Sequence, residues 1–132
     1  MSLRERPMRY RVMAQPRMGE LARLWTALNN GTIESQEPDG EEIVASMKRA
    51  IMTVKGVEWD ETCYCTPPLR HERLTVYDQF FEDTKVEPLT SPLHLHGGRF
   101  WDYVRDYASD SKGVSGEGSA VTMARYVPIR IL

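Results

Sequence analysis

A chain of 132 residues with 41% hydrophobic and 27% charged side chains has the length and composition of one globular domain with its own core. A net charge of −2 and an isoelectric point near 5.9 argue against nucleic acid as a partner, and no stretch approaches the roughly 20 apolar residues of a membrane span. Residues 1–6 read as a disordered or vector-derived leader without the apolar h-region of a signal peptide, so a reducing cytoplasm is the expected compartment for a single α+β domain over 1–132.

From Met8 to Ala14 the residues alternate, with Met8, Tyr10, Val12 and Ala14 set against Arg9, Arg11 and Met13. That is the period of a half-buried strand, ended by Pro16, and solvated arginines also guard a sheet edge. Met18, Leu21, Leu24, Trp25 and Leu28 recur at helical spacing, and Asn30-Gly31 supplies a left-handed stop. A second helix is predicted after Asp39, which with Glu42 makes a capping box. Its apolar stripe runs through Ile43, Val44, Met47, Ala50, Ile51 and Val54 to a stop at Gly56.

Val57 to Cys65 reads as the central strand, with Val57, Trp59, Glu61, Cys63 and Cys65 on the inner face. Pro67-Pro68 ends it and opens a third helix from Leu69 to Asp83, whose inner side holds Leu69, Val76, Tyr77, Phe80 and Phe81. Pro88 and Pro92 interrupt Lys85 to His96, and Gly97-Gly98 marks a turn. An aromatic helix is predicted from Arg99 to Ala108, a mobile glycine-rich loop over 109–119, and a last edge strand from Val121 to Ile131. The loop lacks the Gly-Lys-Ser/Thr ending of a phosphate-binding P-loop. These elements predict a small, mostly antiparallel sheet of three to four strands covered on one face by three to four helices. The opposite face, bearing Arg9, Arg11, Thr62, Tyr64 and Arg125, would meet water or a second copy, and a homo-oligomer, most simply a homodimer, is the expected assembly.

Four constellations bear on chemistry. Cys63 and Cys65, two apart on a strand, have side-chain origins about 6.6 Å apart, whereas bonded cysteines need Cβ atoms about 3.8 Å apart. An unstrained disulfide is therefore excluded, and packing is the simpler role. His94 and His96 share one face of an extended segment, with Leu93 and Leu95 on the other. They would either ligate a divalent transition metal, with His71 and Asp78 or Glu82 completing the shell, or sit in water above inward leucines.

In the run His96 to Tyr103, Arg99 would grip a carboxylate or phosphate of a small-molecule ligand while Trp101 and Tyr103 line its pocket. Aromatics at that density also build cores. Glu61, on a buried face, has either the raised proton affinity of a general acid, with His71 assisting, or a salt bridge to Arg70 or Arg73. The salt bridge is the favoured reading. With no nucleophile or dinucleotide motif present, the leading expectation is a non-catalytic ligand-binding or accessory protein acting as a homodimer. The alternative is a small metal-dependent or acid–base enzyme built on His94, His96, Glu61 and His71.

Overall fold

The computed structural model describes residues 8–63 and 67–113. The expectations for the leader, Tyr64, Cys65, loop residues 114–119, the Val121–Ile131 strand and Arg125 lie outside them. Among the described residues four antiparallel strands form one sheet: β1 (Met8–Pro16), β2 (Ile51–Thr53), β3 (Gly56–Cys63) and β4 (Phe81–Pro88), in the order β2-β3-β1-β4. Four described helices accompany it, giving the α+β architecture expected. A 3-10 turn at Met18–Glu20 leads into α1 (Leu21–Asn29), and α2 (Gly40–Arg49) follows. Helix α3 is composite: Arg70–Glu72, a π-helical turn at Arg73–Tyr77, then Asp78–Phe80. Helix α4 (Phe100–Gly113) extends past the expected end at Ala108. None of the described helices is long and apolar enough to cross a membrane.

Side-chain alternation sets the faces. In β1, Tyr10, Val12 and Ala14 are buried beneath the helices, and in β3 so are Val57, Trp59, Glu61 and Cys63. Trp59 lies opposite Val12 and seeds an aromatic core, with Tyr77 at 5.2 Å and Phe81 at 5.3 Å between ring centroids. Phe81 contacts Phe100 at 5.7 Å, which joins β4 to α4.

Three local expectations are corrected. Helix α2 stops at Arg49, and Ala50 is extended (ψ 142°), so Ile51, Met52 and Thr53 form β2 instead of continuing the stripe. The β-branched residues at 51, 53 and 54 suit either structure, and pairing with β3 decides for the strand. Gly56 (φ +133°) closes the hairpin where any Cβ would come within 2.8 Å of the Ala14 carbonyl oxygen.

The third helix ends at Phe80, not Asp83, because β4 pairs with the free edge of β1 from Phe81 onward. Between Met13↔Lys85 and Gln15↔Glu82 the register slips, with one extra residue on β4 and Asp83 in the left-handed region (φ 55°). The bulge reverses the alternation, so Phe81 turns into the core and Glu82 outward. The capping box does not form either: Asp39 makes no cap bond and instead engages His71, while Glu42 Oε2 accepts the Thr62 N–H at 3.0 Å.

Candidate functional site

The chain brings polar groups together in two places, one sealed under α3 and one on the open side of the sheet. In the first, Glu61 is fully buried. Its Oε1 accepts hydrogen bonds from the Trp59 indole N–H at 2.9 Å and the Tyr77 hydroxyl at 2.5 Å, while Oε2 has no hydrogen-bond partner among the described residues. A second buried carboxyl, Glu72, comes from α3, and the Cys63 thiol lies 3.8 Å from Glu72 Oε1 while accepting the Leu69 N–H at 3.3 Å.

Burial is the main force that pushes the Glu61 carboxyl up to about 8, and the neighbouring charge of Glu72 adds to it against the opposing hydrogen bonds from Tyr77 and Trp59. Burial, and then Glu61, likewise push the Tyr77 hydroxyl well above its ordinary value. The expected salt bridge to Arg70 or Arg73 is not formed. Trp59 and Tyr77 both bond Oε1, no described arginine reaches Oε2, and Arg73 turns outward to Asp78 at 3.6 Å.

The π turn makes this cluster. On an α-helix residues five apart, such as Glu72 and Tyr77, point about 140° away from each other. Bonding from i to i+5 brings them back toward one side, and both are buried. His71 belongs elsewhere: its Nδ1 meets Asp39 Oδ2 at the surface, tying α3 to the start of α2. Glu72 was missed in the sequence reading, although Leu69, Glu72, Val76 and Phe80 follow helical spacing and all four are buried.

The second place is the outer face. Its cross-strand charges pair: Arg9 with Asp60, and Arg11 with Glu58 at 2.6 Å and Glu87 at 3.3 Å. Glu58, which is buried, also accepts a bond from Thr53. β4 and β2 are opposite edges of the sheet, so the segment 89–98 must travel about 14 Å across three strand spacings. It starts with the Leu89 N–H bonded to the Arg9 carbonyl (3.0 Å) and ends with the Met52 N–H bonded to the Gly98 carbonyl (2.8 Å). Gly97 (φ +151°) is needed there, because a Cβ would sit 1.9 Å from the Met52 carbonyl oxygen.

Along this strap Leu93 and Leu95 are half-buried and His94 and His96 exposed, the alternation expected from the sequence. A cleft of about 400 Å³ is lined by Arg9, Asp60 and strap residues 89–93, and another of about 290 Å³ by Arg11, Glu87 and strap residues up to Leu95. A third, of about 440 Å³, opens beside Met13, Gln15 and Lys85.

The groups expected to join the imidazoles are engaged elsewhere: His71 with Asp39, Asp78 with Arg73, and Glu82 with Arg17 at 3.2 Å. Among the described residues no set of three or more His, Cys, Asp or Glu is arranged to hold a metal ion. Arg99 donates to the Lys48 carbonyl at 3.0 Å. Trp101 packs edge-on against Trp25 with centroids 5.0 Å apart, and the buried Tyr103 donates to Met18 Sδ at 3.5 Å. These aromatics serve the helix layer. Comparison with family models, curated proteins and solved structures gives no match.

Proposed function

We propose that this chain is a non-catalytic binding protein whose recognition surface is the strap side of the sheet, and that its ligand is a small polar molecule. The observation that carries the reading is the crossing of a charge-paired face by segment 89–98, with clefts of about 400 and 290 Å³ beside it. The larger cleft lies within the range of ligand pockets, which begin at about 300 Å³. Arg9 and Arg11 supply donors suited to a carboxylate or phosphate, and Asp60 and Glu87 supply acceptors. An acid–base enzyme built on Glu61 fits less well, since that carboxyl is sealed from water. The test is NMR titration with a panel of metabolite-sized acids and amines. Binding should perturb amides of the strap and of Arg9 and Arg11, and Arg9→Ala should weaken it. Perturbations confined to α1 and α4 would defeat the reading.

A second reading rests on the exposed imidazoles of His94 and His96, which are suited to bind zinc, nickel or copper as a two-point chelate completed by water. Metal analysis of untagged protein tests it. Stoichiometric metal lost in His94→Ala supports it, and metal-free protein indifferent to chelator removes it.

A further inference from the structure

The buried acids under α3 have no part in the binding surface proposed above. Facing Glu61 are Trp59 and Cys63 from β3, Tyr10 as its register partner on β1, and Glu72 and Tyr77 from α3, with the buried Ser46 of α2 close enough to Tyr77 to oppose the rise in its proton affinity. The other nearby carboxylate of α2, Glu42, is turned to the Thr62 amide and Arg49, and His71 is held by Asp39. Among the described residues no ion pair reaches Glu61, and none of them sets a cation beside it to offset its charge when ionised.

We propose that the Glu61–Glu72 pair is a proton-dependent latch, which holds α3 on the sheet while Glu61 is protonated and releases it when that proton is lost. With the proton in place, Oε1 accepts from Trp59 and Tyr77, and the hydroxyl of Oε2 is free to point toward Glu72. Without it, a buried negative charge faces a second carboxyl in a site closed to water. Such a charge is relieved by separation and hydration.

Helix α3 is the element that can give way. It carries both Glu72 and Tyr77, and its α-helical pieces are only three residues each, on either side of the π turn. It starts from Leu69, a buried residue in the left-handed region (φ 59°). Non-glycine residues held in that region and π turns are both strained arrangements that cluster at sites of conformational function.

The Trp59 indole N–H reports directly on the acid it bonds. In nitrogen-15 NMR spectra from about pH 6 to about pH 9.5, the Trp59 indole signal and the amides of residues 69–80 should shift or broaden together, with a midpoint near 8. Glu61→Gln should abolish the transition while keeping a dispersed spectrum. An indole that titrates while the α3 amides stay unchanged would overturn the latch, as would the absence of any transition or its persistence in Glu61→Gln. If that variant does not fold, Tyr77→Phe decides. Loss of a donor that favours the ionised acid must move the midpoint upward, and an unmoved midpoint overturns the proposal.

Discussion

Glu61 is stabilised in its neutral form by burial, and the consequence is a stability that depends on pH. Its proton affinity is higher folded (about 8) than in the open chain, where the ordinary value is 4.5. The unfolded chain therefore releases this proton first. The stability linked to Glu61 is present in full below about 4.5, declines as pH rises toward 8, and levels off above it. Denaturant melts of Glu61→Gln should lose that decline, leaving the variant more stable than the parent at alkaline pH. Asp83 makes a separate case. Its left-handed backbone costs a side-chain-bearing residue about 1–2 kcal/mol. Asp83→Gly should therefore be neutral or stabilising by up to about 1 kcal/mol. Asp83→Val should destabilise by more than that, read as a shift in denaturation midpoint.

At the scale of elements, two segments depend on backbone placement more than on side chains. The strap is seated at its far end by Gly97, and Gly97→Ala should unseat it at a cost of about 1–3 kcal/mol. Hydrogen exchange should show this as faster exchange at the Met52 amide, which is bonded to Gly98. The bulge of β4 has the opposite task of turning one aromatic ring inward, and Phe81→Ala should cost about 3–5 kcal/mol in a denaturant melt. Much of this level was legible beforehand. β1, α1 and the core of β3 stand where alternation and helical spacing put them. The second helix is expected to run on to Gly56 because Ile51 and Val54 continue its apolar stripe, yet the same β-branched side chains suit a strand. The third was extended too far because Phe81 has an inward position in either structure.

For the whole molecule, the sheet separates an acid cluster on its helical side from a strap and charge ladder on the other. Sites on opposite sides without shared partners should act independently. The stability effects of Glu61→Gln and Gly97→Ala should add to within about 0.5 kcal/mol in a double-mutant cycle. Periodicity is legible in the residues alone: which faces are apolar, that the fold is α+β, and that Glu61 lies on an inward face while the imidazoles and leucines of the strap alternate. These follow from side-chain direction along a regular backbone, which is local. Long-range packing alone sets Asp39 against His71 in place of its own helix, places Glu61 by Tyr77 and Glu72 with no described arginine beside it, and carries 89–98 across the sheet. Each of those depends on which distant groups compete for the same hydrogen bond or buried volume, and residue spacing carries no record of that competition.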